Sequence, residues 1–172
     1  MIVLSDSFRL YLKKNRKLRD CIGFMKICIT CSPGGHLTES LQLLPILKKH
    51  DVFFYTVDDG HAKKTLRKFK KYFGPRLLRS PLHLFDYLKN IFLSFQILLK
   101  EKPGVIISFG AGEAVPISLL GKLLGSKLIY IECSAQVYNP SISGKILYPF
   151  ADLFFVQWRY LVNKYGDKAI YG

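Results

Sequence analysis

The segment Cys31-Ser-Pro-Gly-Gly-His-Leu-Thr-Glu-Ser40 sets a histidine directly after two glycines. An unperturbed imidazole titrates near neutrality, so His36 is a candidate general base for a hydroxyl. Gly34 and Gly35 allow close approach of a ligand, and a helix N-terminus behind them favours an anion. Ser32, Gly34 and Gly35 are therefore candidate acceptor- or phosphate-binding positions. The plainer reading is a tight turn with His36 capping a helix, and spacing alone leaves both open. A second turn, Gly110-Ala-Gly112, precedes Glu113. Gly110 and Gly112 join the candidate anion-binding set. The Glu113 carboxylate either complements a helix dipole or accepts from a ligand hydroxyl. Glu132 directly follows the apolar run Lys127-Leu-Ile-Tyr-Ile131, where an acid is less expected, so it is a candidate catalytic group or a structural one. Neither turn is a P-loop, because no Gly-Lys-Ser/Thr follows. Neither is a dinucleotide fingerprint, because Gly-x-Gly-x-x-Gly is absent, and a nicotinamide-dependent oxidoreductase is disfavoured even with Asp58 near a ribose-binding position.

These residues need elements to hold them. Lys26 to Cys31 alternates and is rich in β-branched residues, so it reads as a buried strand, and Leu37, Leu41 and Leu44 follow at helical spacing. Asp51 to Val57 is a second strand. A basic helix is expected over 62–72, with Arg76-Leu-Leu-Arg79 as a short third strand. Pro81 opens a long helix to about Lys100, apolar over much of its circumference. Such a helix either packs in the core or faces lipid, and the core placement is the expectation. Further strands are expected at 105–109, 127–131, 152–157 and 168–171, with helices over 113–124 and 141–148. Apolar strands alternating with helices imply a doubly wound, Rossmann-like α/β domain with a parallel sheet covered on both faces. Ligands in such sheets bind beyond the carboxyl ends of the strands. The turns there are 32–36, 57–61, 108–113, 132–139 and 157–159.

The 172 residues suit one domain with a real core, and 49% are hydrophobic and 14% aromatic. Lys and Arg number 26 against 12 acids, a net charge of +14. Such a surplus attracts something anionic: nucleic acid, lipid headgroups or a phosphorylated substrate. Residues 61–79 carry eight basic residues and no acid. Residues 1–24 read as a basic arm, either at a membrane surface or preceding a true start at Met25, and 25–172 form the domain. The arm has no signal-peptide core, and no transmembrane helix is convincing, since His83, Asp86, Lys89 and Asn90 interrupt the most apolar stretch. Cys28 and Cys31 make a C-x-x-C inside a strand, where residues three apart face opposite ways, so neither a metal nor a redox pair is expected. Cys21 and Cys133 lack a partner in sequence, and a reducing compartment is expected.

Five ordered blocks carry a resemblance to a known family: Cys31 to Glu39, Ser108 to Gly112 with Pro116, Ile131 to Ser134, Ser143 to Pro149 and Ala151 to Trp158. They resemble the membrane-associated subunit of two-component glycosyltransferases. One branch serves the dolichol-linked oligosaccharide and the other bacterial capsule and exopolysaccharide synthesis. The resemblance implies the N-terminal, acceptor-side half of a split GT-B enzyme. It implies an inverting, metal-independent transfer without a cofactor, from a nucleotide sugar to a polyprenyl-pyrophosphate glycan. A small donor-binding glycosyltransferase subunit would be the partner. It implies His36 as general base, Gly34 and Gly35 facing the lipid pyrophosphate, and Glu132 lining the cleft. Eukaryotic members carry an N-terminal transmembrane helix, and this chain shows at best a short basic arm. That departure implies peripheral attachment to an anionic membrane surface, on the cytoplasmic face. Two other readings stand beside it. One is a non-catalytic scaffold that recruits the partner to the membrane. The other is a nucleic-acid-binding module, supported by charge alone, and no nucleic acid partner is expected because no recognition motif appears.

Overall fold

The strands form where β-branched and aromatic residues run on both faces of the chain. In order they are β1 (Lys26–Thr30), β2 (Asp51–Val57), β3 (Lys70–Gly74), β4 (Val105–Ser108), β5 (Lys127–Ile131), β6 (Leu153–Val156) and β7 (Ala169–Tyr171). The helices between them are α1 (Gly35–Leu41), α2 (Gly60–Thr65), α3 (Leu84–Glu101), α4 (Ala114–Leu123), α5 (Ile142–Leu147) and α6 (Arg159–Tyr165). The structure is a computed structural model and describes residues 24–77 and 84–172. The strands make one parallel sheet in the order β3-β2-β1-β4-β5-β6-β7. The order reverses at β1 and β4, where the crossovers leave the sheet in opposite directions. The doubly wound fold expected from the sequence is the one observed.

Alternation along the strands divides the core in two. Ile27, Ile29, Phe54 and Ile107 meet Leu37 of α1 and Ala62 of α2 on one face. Cys28, Phe53, Ile106 and Phe154 meet Ile97 of α3, Ile117 of α4, Leu147 of α5 and Leu161 of α6 on the other. The two cysteines of the C-x-x-C are accordingly in different cores, both buried and free. Burial pushes both thiols up, Cys31 to about 12.

Four expectations are corrected. The basic helix is short: α2 ends at Thr65, and the chain then enters β3 at Lys70. Asp59 caps α2, accepting from the His61 amide at 2.8 Å. The lysines of β3 are tolerated because it is an edge strand, half in solvent, and Lys70 reaches the buried Glu101 at 2.8 Å. The third strand is therefore at 70–74, not 76–79, of which 78 and 79 lie outside the described residues. The start of the long helix at Pro81 also lies outside them, as does the arm at 1–24 except for Phe24. The helix after β1 stops at Leu41, and Leu43 and Leu47 reach the core from turns. The long helix α3 is not a core helix, since Phe85, Leu88, Phe92 and Leu99 are exposed. Helix α6, between Trp158 and Gly166, was not legible as a helix because only Leu161, Val162 and Tyr165 mark its inner face over seven residues.

Candidate functional site

A cleft of about 710 Å³ opens over the carboxyl ends of β1, β4 and β5. Three of the five turns reach it. The first supplies His36, the second Gly110 to Gly112, and the third Glu132, Cys133 and Gln136. The turns after β2 and β6 do not line it. Its outer wall is apolar, with Val115, Pro116, Ile142 and Ile146. Among the expected residues, His36, Gly110, Gly112 and Glu132 come together. Ser32 touches the site through His36, while Gly34, Gly35 and Glu113 are not on the wall.

His36 is half-buried in the first turn of α1, and its Nδ1 lies 2.5 Å from the Ser32 hydroxyl. Ser32 and His36 are four residues apart, so the turn brings them together only because Gly34 adopts φ +85°. That left-handed conformation is open to glycine at little cost. Gly35 and Gly112 have ordinary φ, and a Cβ at either would meet nothing within 4 Å. The fold itself therefore does not require glycine at these two positions, and the space beside them is open.

Gly110 is required. Its φ is +84°, and a Cβ would stand 2.8 Å from the Tyr130 hydroxyl and 3.0 Å from Ser143 Oγ. Ala111 follows with φ +73°, a left-handed conformation uncommon for a residue with a side chain. The Glu113 carbonyl accepts from Asn90 Nδ2 of α3 at 3.3 Å. Asn90 is fully buried, and its Oδ1 accepts from Tyr55 and Ser94 hydroxyls at 3.1 Å each. Sequence reading noted Asn90 only among the polar interruptions of the apolar stretch and did not select it for the site.

Glu132 is 1% exposed. One oxygen accepts from the Ser141 hydroxyl at 2.9 Å, the Ser141 amide at 3.2 Å and the Tyr165 hydroxyl. The other accepts from its neighbour's amide, Cys133 N, at 3.1 Å and from Tyr130 at 3.3 Å. Both oxygens are thus engaged by the chain itself. Burial first, then the adjacent Glu132 charge, pushes the Tyr130 and Tyr165 phenols up, so both stay protonated donors. Gly144 must be glycine for this cluster, because a Cβ would stand 2.7 Å from the Glu132 carboxylate. Glu39 ties the same region to α1, accepting from the Ser134 hydroxyl, from its amide at 3.1 Å and from Gln157 at 3.4 Å. The Trp158 indole donates to the Ser134 carbonyl at 2.7 Å, which fixes it beside this loop. Burial, and behind it the nearby Glu39 and Glu132 carboxylates, pushes the thiol of the half-buried Cys133 up.

A parallel sheet with a cleft at its switch point, and a glycine-flanked histidine on the rim, defines a doubly wound, Rossmann-like α/β domain with a ligand cleft. The structure is similar to MurG from Acinetobacter baumannii, with a TM-score of 0.64 and 19% identity. It is equally similar to the UDP-GlcNAc 2-epimerase from Neisseria meningitidis, with a TM-score of 0.64 and 13% identity. The matches cover 78% and 86% of this chain, but the chain spans only 41% and 46% of those two proteins. Residues 27–172 match the family described as oligosaccharide biosynthesis protein Alg14 like, and the chain belongs to that family. It is 33% identical to the human UDP-N-acetylglucosamine transferase subunit ALG14, over 86% of this chain and 81% of that protein. The Candida albicans protein of the same name is 30% identical, over 93% of this chain and 81% of its own length.

Proposed function

We propose that this chain is the acceptor-side subunit of a two-component N-acetylglucosaminyltransferase. It would act with a small donor-binding subunit on a polyprenyl-pyrophosphate-linked glycan, with UDP-N-acetylglucosamine as donor. The relatives' names, transferase subunits for that sugar, support the donor and the need for a partner. The observation that carries the reading is His36 on the rim of a cleft lined by the Gly110-Ala111-Gly112 turn, by the polar Glu132 loop and by apolar side chains. His36 Nε2 takes the acceptor hydroxyl proton as that oxygen attacks the anomeric carbon. The bond from that carbon to the UDP oxygen breaks, UDP leaves with the electron pair, and the configuration inverts. This role requires the tautomer with hydrogen on Nδ1, donated to Ser32 Oγ. The open space beside Gly112, on the cleft wall, suits a pyrophosphate, while Gly34 and Gly35 leave room beside His36 but stand off that wall. Glu132, engaged on both oxygens, shapes the wall rather than exchanging protons, and Glu113 marks the start of α4. The net charge of +14 and the exposed Phe85 and Phe92 support attachment to an anionic membrane surface, peripheral and on the cytoplasmic face.

The test is transfer from radiolabelled nucleotide sugars to lipid by this chain co-expressed with its donor-binding partner. Activity in the pair alone, lost with His36→Ala, is the expected result. The saturated Glu132 carboxylate favours one second reading, a scaffold whose partner holds every catalytic group. Wild-type turnover by His36→Ala would establish that reading and remove the first.

A further inference from the structure

Helix α3 is turned the unusual way for a globular protein. Its inner side buries the polar Asn90, Ser94 and Glu101 beside Ile97 and Leu98. Its outer side presents Phe85, Leu88, Ile91, Phe92, Phe95 and Leu99, with Phe85 76% and Phe92 63% exposed. A contiguous apolar face of this kind marks a surface that something covers. Three features point to a bilayer. The exposed residues of α3 include Lys89 and Lys100 and no acid, on a chain of net charge +14. An outward apolar face flanked by lysines is the pattern of a helix lying in a membrane interface. The apolar surface also extends past both helix ends. Leu99 and Leu124 share a hollow of about 300 Å³ beside the exposed Leu123, and Tyr87 joins Ile142 and Ile146 at the mouth of the cleft. The basic α2 packs on the opposite face of the sheet and is not part of this surface.

We propose that α3 lies in the plane of an anionic bilayer surface, and that Asn90 makes it the positioning element of the acceptor turn. The inference rests on the acceptor-side reading for what the turn does. Asn90 projects from the side of α3 opposite the apolar face. There it donates to the Glu113 carbonyl at the end of the Gly110-Ala111-Gly112 turn, and it is itself clamped by Tyr55 and Ser94. Ala111 is already in an uncommon conformation, so the turn keeps its shape only while its surroundings hold it. Seating α3 and shaping the cleft floor are then one event, and a lipid-linked acceptor enters along the same apolar path.

The full chain is sedimented with phosphatidylcholine–phosphatidylglycerol vesicles and with phosphatidylcholine alone, and amide exchange is followed with and without them. Wild type is expected to partition to the anionic vesicles. The exposed double variant Phe92→Ser/Phe95→Ser should partition about ten-fold less, while Lys64→Glu on α2 changes little. Bound vesicles should slow exchange in α3 and also at residues 110–115. Asn90→Leu should still bind yet lose the slowing at 110–115, whereas Tyr55→Phe, which spares the bond to Glu113, should retain it. Undiminished binding by the double variant overturns the seating. So does protection of α3 by a second copy, or by the donor subunit without lipid. Protection of α3 with none at 110–115 in wild type overturns the coupling even if Asn90→Leu fails to fold. No arm uses turnover, so a failure of the transferase reading shows separately, in the paired activity assay.

Discussion

Among the described residues His36 has one side-chain hydrogen-bond partner, Ser32, and Glu132 has five donors around it; their substitutions should behave oppositely. His36→Ala removes no buried group, so the melting temperature should hold while kcat falls by roughly 10²–10⁴, the usual contribution of a positioned base. A melting temperature that fell in step with activity would make His36 a structural cap. Glu132→Gln keeps the shape but turns an amide NH2 towards hydroxyl and amide donors. It leaves buried donors unpaired, at a cost of about 1–3 kcal/mol each. Its midpoint in urea should therefore drop well before any specific effect on turnover is seen. A Glu132→Gln protein as stable as wild type but inactive would return that carboxylate to the chemistry.

At the scale of elements, the two glycines of the second turn separate fold from ligand. Gly110→Ala forces a side chain into a left-handed position and against Tyr130, and should cost about 1–3 kcal/mol of stability. Gly112→Ala meets nothing in the protein. Its stability should stay within about 0.5 kcal/mol of wild type. If a pyrophosphate approaches that backbone, the KM for lipid acceptor should rise several-fold with the donor KM unchanged. An unaltered acceptor KM would move the anion elsewhere. Both turns were legible as turns because glycine and strand ends announce themselves. β2 and β5 were legible to the residue because both are apolar on both faces. β3 was not, because an edge strand accepts Lys70 and Lys71 and so imitates a basic helix. The orientation of α3 was hidden for a deeper reason. Periodicity shows a stripe but not which stripe faces inwards. The polar one goes inwards here because Tyr55, the Glu113 carbonyl, Lys26 and Lys70 stand ready to satisfy it. Those partners come from β1, β2, β3 and the turn before α4, distances that local sequence does not record. The cleft was legible as a set of turns, whereas the closure of Glu132 by Ser141 and Tyr165 depends on α5 and α6 packing beside it.

On the scale of the whole molecule, Glu101 is the junction that fixes the inner end of α3 to the sheet. Its carboxylate, almost wholly buried, meets Lys26 of β1 at 3.0 Å, Lys70 of β3 at 2.8 Å and the Tyr72 hydroxyl. Burial by itself raises the carboxyl, but the hydrogen bonds from Lys70, Tyr72 and Lys26 outweigh it and hold it at about 2. A carboxyl held below its ordinary value binds fewer protons folded than unfolded. Its stabilisation is thus complete above the ordinary value near 4.5 and is lost as the pH falls towards 2. Asp152, lowered by Lys122, the Leu128 amide and Lys127 against the opposing effect of burial, adds a loss of the same sign. The chain also carries 26 basic residues against 12 acids, so protonation of its acids adds general repulsion to the folded state. Comparing wild type with Glu101→Gln isolates the junction from that background. At pH 7 the variant should be less stable by roughly 1–3 kcal/mol, since it leaves two lysines facing a neutral amide. As the pH falls from 4.5 towards 2 the gap should close, with urea midpoints converging at the acid end. A gap that stayed constant with pH would mean that Glu101 contributes by shape and packing. A gap that closes would mean that an ion-pair network spanning β1, β3 and α3 holds the apolar helix against the sheet.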